Sequence, residues 1–308
     1  MILVTGAAGY IGSALVQRFG NNAAIGVDNF IKPRKDRPVD IIDADICDKA
    51  TMEDIIVRYG ITSIINLAAV VGDPACVKYP KQAVMSNLEG VESLLTAAKR
   101  AGTVTKFVQA STCSVYGFNE QMVDEDSAVN PLSLYAETKV KAEQLVRDSG
   151  LQYAVLRFAT ACGWSPVPRF DLTVNEFTRD VYYDRMIEVY SKNDWRPYCD
   201  VVDLVYVLYM AAVKSSVMGV YNVGAQKNNF TKGMILDMLS KYKEVCYCET
   251  TDNKDPRNYK VNFDHIKRAL PEVNFTSLDD TVLEIMAKLK EGGIDADDSV
   301  YRADHLNC

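Results

Sequence analysis

Ile2-Leu-Val-Thr-Gly6-Ala-Ala-Gly9-Tyr-Ile-Gly12 decides the fold. A short apolar run rich in strand formers meets three glycines spaced three apart, and a helical pattern starts at Tyr10. A strand that turns directly into a helix leaves the helix's first N–H groups pointing outward, a natural seat for a phosphate. Glycines let that phosphate approach the main chain closely. The spacing is GxxGxxG and departs from GxGxxG, so the glycines count only together with the strand before them and the helix after them. A second strand ends at Gly26-Val-Asp28-Asn29. A carboxylate at that point holds a ribose 2′-hydroxyl and repels a 2′-phosphate, which favours NAD over NADP. Arg34, Lys35 and Arg37 follow and work against that preference.

Working outward, short β-branched runs alternate with helical patterns: a helix from Lys49, Ser63–Leu67, a helix from Met85, Lys106–Ala110, a helix bearing Tyr135, then Tyr153–Arg157. This alternation predicts an α/β fold, a doubly wound parallel sheet of the Rossmann type, over residues 1–157. From Phe158 the pattern loosens, and Pro166, Pro168 and Pro197 interrupt it. Residues 158–308 are read mainly as a smaller substrate-binding lobe at the carboxyl edge of the sheet, where open α/β sheets bind ligands. A stretch at about 198–223 is expected to return to the first domain. The tail after Gly292-Gly293 is polar and acidic, and is expected to be loosely held.

Composition narrows the function. The net charge is -7 with no basic run, which argues against a nucleic-acid partner. The most apolar later segment, Leu204–Val213, is bounded by Asp203 and Lys214 and falls short of the roughly 20 residues that a membrane needs. It is read as a buried helix. No basic leader precedes Ile2, so a cytoplasmic protein with reduced thiols is expected. The eight cysteines are scattered, and Cys246-Tyr-Cys248 lacks the further ligands of a zinc site, so no metal is expected. The only histidines, His265 and His305, lie outside every motif, which leaves triad hydrolysis without its base.

Chemistry enters with Asn130-Pro-Leu-Ser-Leu-Tyr135-Ala-Glu-Thr-Lys139. Tyr135 and Lys139 are one helical turn apart and share a face. A neighbouring ammonium favours phenolate, so Lys139 is expected to draw the tyrosine pKa down from about 10 and make Tyr135 a general base.

With these features, the chain resembles the extended short-chain dehydrogenase/reductase family, in particular its NAD-dependent nucleotide-sugar epimerases and dehydratases. The resemblance runs through Gly6 to Gly12, Asp45-Ile46, Leu67-Ala-Ala69, Asn87, Ser111-Thr-Cys-Ser-Val-Tyr-Gly117, the Tyr135 motif, Leu156-Arg-Phe158 and Trp195-Arg-Pro-Tyr198. It implies a cofactor site of Gly6, Gly9, Tyr10, Ile11, Gly12, Asp28, Asn29, Asp45, Ile46, Leu67, Ala68, Ala69, Asn87, Tyr135, Lys139 and Phe158. It also implies that Thr112 binds the sugar hydroxyl being oxidised, beside Tyr135 as base and Lys139 on the cofactor ribose. Arg196 and Arg257 are then expected to grip the substrate diphosphate, because a planar guanidinium meets phosphate oxygens in pairs. Asn175 is expected to add an amide to the same anion.

Family members that eliminate water commonly carry Asp-Glu after the threonine. This chain has Cys113 and Ser114, so acid and base for a 4,6-dehydratase are missing. The expectation is an NAD-dependent epimerase of a nucleotide-diphosphate sugar, working through a transient 4-keto sugar in carbohydrate biosynthesis. The same Thr-Tyr-Lys group serves a 4-dehydrogenase or 4-keto reductase, and a non-catalytic dinucleotide-binding protein is the rival from another class. The resemblance also implies a homodimer, through the helices after Asn87 and around Tyr135.

Overall fold

The computed structural model describes residues 1–34, 40–251 and 255–306. Seven parallel strands form the central sheet, in the order Gly219–Val223, Gln152–Phe158, Lys106–Thr112, Ser63–Asn66, Ile2–Thr5, Ala24–Asp28 and Ile41–Asp43. The first strand pairs with two neighbours in register, Val4 opposite both Gly26 and Ile65. Side chains alternate along each strand. Val4, Ile65 and Val108 therefore face one helical layer, while Leu3, Ile64 and Phe107 face the other. The first layer contains Tyr10–Ala23 and Val201–Val213, joined where Phe19 stacks on Tyr209 with ring centroids 3.8 Å apart. The second layer contains Lys49–Arg58, Gly90–Ala101 and Leu134–Arg147, which pack Met52, Leu94 and Val146 against the sheet.

Local chemistry starts and aims these helices. The Ser133 hydroxyl accepts from the Ala136 N–H and caps the helix that carries Tyr135, with Glu137 in its first turn and Arg147 in its last. Before Gly90 the chain runs through a π-helical turn, Met85–Glu89, which turns the Asn87 side chain into the protein, where it is 1% exposed.

The second lobe has its own core. Helices Thr173–Tyr182, Lys232–Leu239 and Leu278–Glu291 bury Phe177, Ile235, Val282 and Ile285 against a three-stranded sheet of Asn229–Thr231, Trp195–Asp200 and Thr160–Cys162. Two details differ from the simple division of the chain. Phe118–Val123 leaves the first domain and pairs with Asn258–Val261. The tail is docked and not loose: the Phe170 N–H donates to the Tyr301 carbonyl, the Ala303 N–H donates to Asp171, and Leu306 packs against the cluster of Val70, Ala75, Cys76 and Ala83. Tyr301 also meets Phe170 edge-on, and Ala296 and Ala303 are buried. No helix among the described residues is long and apolar enough to cross a membrane.

Candidate active site

The carboxyl ends of the central strands open into a cleft of about 920 Å³ that reaches across to the second lobe. That is near the top of the range of about 300–1,000 Å³ usual for small-molecule sites. Gly6, Gly9 and Gly12 line one end. Gly6 has φ +67, and a Cβ on it would lie 2.8 Å from the Ala68 nitrogen; a Cβ on Gly12 would lie 2.1 Å from the Gly6 carbonyl oxygen. Only glycine allows the turn to close this tightly. Gly9 begins the Tyr10–Ala23 helix, and among the described residues no side chain caps it. Its first N–H groups are thus left for an anion. This cradle fits a pyrophosphate.

Asp28 lines the same end, with its carboxylate accepting from the Ala8 and Phe30 N–H groups at 3.0 and 2.8 Å. Its pKa is raised by burial, which those two bonds and Arg34 offset only in part. Arg34 itself donates to the Ala8 carbonyl. Lys35 and Arg37 lie outside the described residues. Ile11, Asn29, Ile46, Leu67, Ala68, Ala69 and Phe158 also line the cleft.

Three residues expected to touch a ligand are turned elsewhere. Asp45 is absent from the cleft wall; it accepts from the Asn29 amide at 2.9 Å and so steadies a residue that does line it. Asn87 clamps both polar groups of Val70 at 2.8 and 2.9 Å and donates to Thr138 on the Tyr135 helix, at 3.1 Å. Asn175 uses its carbonyl for the Gly163 N–H and its NH₂ for the Gly163 and Arg169 carbonyls, so no amide group is left over for an anion. A buried amide is held by the nearest unpaired main chain, because leaving either partner unmet costs more than a ligand contact returns. Tyr10 lines the cleft edge, but its phenol donates to the Gly163 carbonyl at 2.8 Å and ties the cofactor end to the second lobe.

At the centre, Thr112, Tyr135 and Lys139 share one stretch of wall. The Thr112 oxygen accepts from the Ser114 N–H at 3.1 Å, which leaves its O–H free to donate. The Lys139 ammonium lies 5.8 Å from the Tyr135 ring centroid and donates to the Ala110 carbonyl at 3.2 Å. Here the surroundings of the phenol run against the expectation of a lowered tyrosine pKa. Burial pushes the Tyr135 phenol up, Cys76 and Asp73 add to the rise, and Arg169 and Arg257 oppose it. Burial also brings Lys139 down to about 8, against the pull of Cys76 and Glu143. Desolvation penalises both charged forms, and the ammonium is not aimed at the phenol oxygen. Cys113 is fully buried with its thiol on the Arg157 carbonyl, and burial drives its pKa well up, so it packs and takes no proton.

The far wall carries cations, each set among carboxylates. Arg257 meets Asp255 in a two-pronged pair at 2.8 and 2.7 Å, Asp73 at 3.0 Å and the Ser114 hydroxyl at 3.1 Å. Arg196 shares Asp255 at 3.0 Å. Among the described residues, four further cations line the cleft, Lys32, Arg169, Lys232 and Arg302. Arg169 lines the cleft in a two-pronged pair with Asp171; burial alone would raise that carboxyl, but the guanidinium outweighs it and holds it at about 2. Lys232 sits 3.2 Å over the Tyr190 ring, and burial lowers it to about 8. Arg169 belongs to the same seven residues as Asn175, and nothing in their order says which of the two faces the cleft.

The family model described as NAD dependent epimerase/dehydratase family matches residues 2–224. A UDP-glucuronate 4-epimerase of Arabidopsis thaliana is 32% identical over 213 residues, which cover 63% of this chain and 46% of the plant protein. The chain thus spans about half the length of that relative. A UDP-glucuronate 4-epimerase of Thermodesulfobacterium geofontis is 29% identical over 259 residues, covering 78% of this chain and 79% of its own. Among solved structures, a UDP-glucuronic acid 4-epimerase of Bacillus cereus, in complex with UDP-glucuronic acid and NAD, superposes with a TM-score of 0.81. It is 25% identical, over 94% of this chain and 99% of that one.

Proposed function

Because the chain belongs to the NAD-dependent epimerase/dehydratase family, we propose that it inverts C4 of a nucleotide-diphosphate sugar, with NAD as a bound cofactor. One observation carries the reading: Thr112, Tyr135 and Lys139 stand together on the wall of a cleft whose other end is a glycine cradle fit for a pyrophosphate. NAD, when bound, supplies a cationic ring able to accept hydride from the sugar and return it. Gly6, Gly9, Gly12 and Asp28 hold that cofactor.

The chain's own residues handle the proton and the sugar. Thr112 donates its free O–H to the sugar's C4 oxygen and fixes its direction. Tyr135 takes the C4 hydroxyl proton as the C4–H bond breaks, and gives it back when the hydroxyl reforms on the opposite face. Lys139 holds positive charge beside the phenol. A cationic ring bound beside it would add positive charge and so favour the phenolate against the desolvation that raises it. Arg196 and Arg257 take the diphosphate, exchanging Asp255 for phosphate oxygens. The names of the relatives put UDP-glucuronate first among substrates to try. We assign the protein to the cytoplasm and expect a homodimer, with Gly90–Ala101 and Leu134–Arg147 as the paired helices.

The test is incubation of the protein and NAD with UDP-, GDP-, CDP-, ADP- and dTDP-sugars, followed by separation and mass measurement. A new product of unchanged mass is expected. Loss of two hydrogens with NADH accumulating would make the protein a dehydrogenase, and loss of water would overturn the reading of Cys113 and Ser114.

A further inference from the structure

From the bonds behind the catalytic face, we infer that Glu143 is a positioning residue that bolts the helix of Tyr135 and Lys139 to the strand end carrying Thr112. The inference rests on the proposed chemistry. Tyr135, Lys139 and Glu143 follow one another at intervals of four and form one stripe along the helix. That stripe meets the strand Lys106–Thr112 at two consecutive residues. Lys139 donates to the Ala110 carbonyl at 3.2 Å, and the Ser111 hydroxyl donates to the Glu143 carboxylate. Thr112 comes next. Two rungs fix the register of helix on strand, and the register decides where the Thr112 hydroxyl stands relative to the phenol.

The carboxylate has a second set of partners. Arg157 donates to it through Nε and Nη2, at 3.0 and 2.8 Å, and through Nη1 to the Tyr116 phenol at 3.0 Å; Tyr116 in turn donates to Asn222 at 2.7 Å. The chain of bonds thus joins the catalytic helix to three adjacent strands and to the turn Cys113–Tyr116 that follows Thr112. Both members of the ion pair are 4% exposed. A buried pair adds little net stability compared with apolar residues of the same shape, so its use here is better matched to geometry than to holding the fold. Charge matters as well. Lys139 is faced by Cys76 from the Asp73–Lys78 helix and by Tyr135 and Glu143 from its own; Glu143 is faced by Arg157 and, at 3.7 Å, by Arg147. The carboxylate favours the ammonium that burial disfavours.

Three variants separate positioning from simple support. Glu143→Gln keeps the size and an acceptor for Ser111 but removes the charge. Its kcat should fall roughly tenfold, less than the hundredfold that a misplacement of about 1 Å costs, with KM nearly unchanged. Its alkaline limb should move to lower pH, because Lys139 then loses its proton earlier. Glu143→Asp restores the charge and should return the limb towards its original position while kcat stays reduced. Ser111→Ala cuts one rung and should lower kcat a few-fold with the limb unmoved. A folded Glu143→Gln protein with wild-type kcat and an unshifted limb would overturn the inference; should that variant not fold, wild-type kcat in Ser111→Ala would do so. An NMR titration of the Lys139 amine needs no turnover. A downward shift in Glu143→Gln supports the electrostatic part even if no nucleotide sugar reacts, whereas a wild-type protein inert to the whole sugar panel strikes the proposed function alone.

Discussion

The wall of the cleft built on the ends of the first strands offers main chain and small side chains, Gly6, Gly9, Ala68 and Ala69 among them, whereas the opposite wall offers Arg169, Arg196, Lys232 and Arg257. The first wall recognises by shape: its N–H groups point outward already and a single added carbon has nowhere to go. The second recognises by charge, and its cations are held in the meantime by Asp171 and Asp255. A wall of backbone suits a cofactor that stays, while a wall of paired side chains suits a substrate that must enter and leave.

Four substitutions test that contrast. Between the walls, Tyr135→Phe should lower kcat by about 10²–10⁴-fold, the usual worth of a general base, with NAD content unchanged. Near-normal turnover in a folded protein would remove Tyr135 from the chemistry. On the shape wall, Gly12→Ala should weaken NAD by about 10- to 100-fold, since overpacking costs roughly 1–3 kcal/mol. Calorimetric titration with NAD reads this, and an unchanged affinity would mean that the loop adapts. On the charged wall, Arg257→Ala should weaken the nucleotide diphosphate by about tenfold or more, as hydrogen bonds to charged groups are worth about 1.5–3 kcal/mol, and leave NAD affinity alone. If NAD weakens instead, the walls are not separate. The smallest effect on catalysis is expected at Asn175→Ala: about 1–3 kcal/mol of stability lost by chemical denaturation, with the sugar KM unmoved. A raised KM there would return Asn175 to the substrate site.

Legibility followed the same division. The shape wall could be read because its signals are local: strand, glycine turn and helix start fall within twelve residues, and Asp28 comes one strand later. The charged wall could be read only in part. The motifs around Arg196 and Arg257 point to the cleft that both line, but only loop geometry puts the Arg169 guanidinium in the cleft and folds the Asn175 amide back onto Gly163. Asp45 and Asn87 act at one remove, since each side chain spends its polar atoms on steadying residues next to the cleft.

The sequence by itself determined the parallel sheet, the dinucleotide loop and the pairing of Tyr135 with Lys139, because strand alternation, the glycine turn and helical spacing are set by residues a few positions apart. Only the tertiary structure decided that Lys139 lies beside the phenol without bonding it, that desolvation raises Tyr135, and that Glu143 reaches Ser111 and Arg157. Burial and hydrogen-bond partners depend on what the rest of the chain brings alongside, and Ser111 and Glu143, 32 residues apart, become neighbours only when helix and sheet pack.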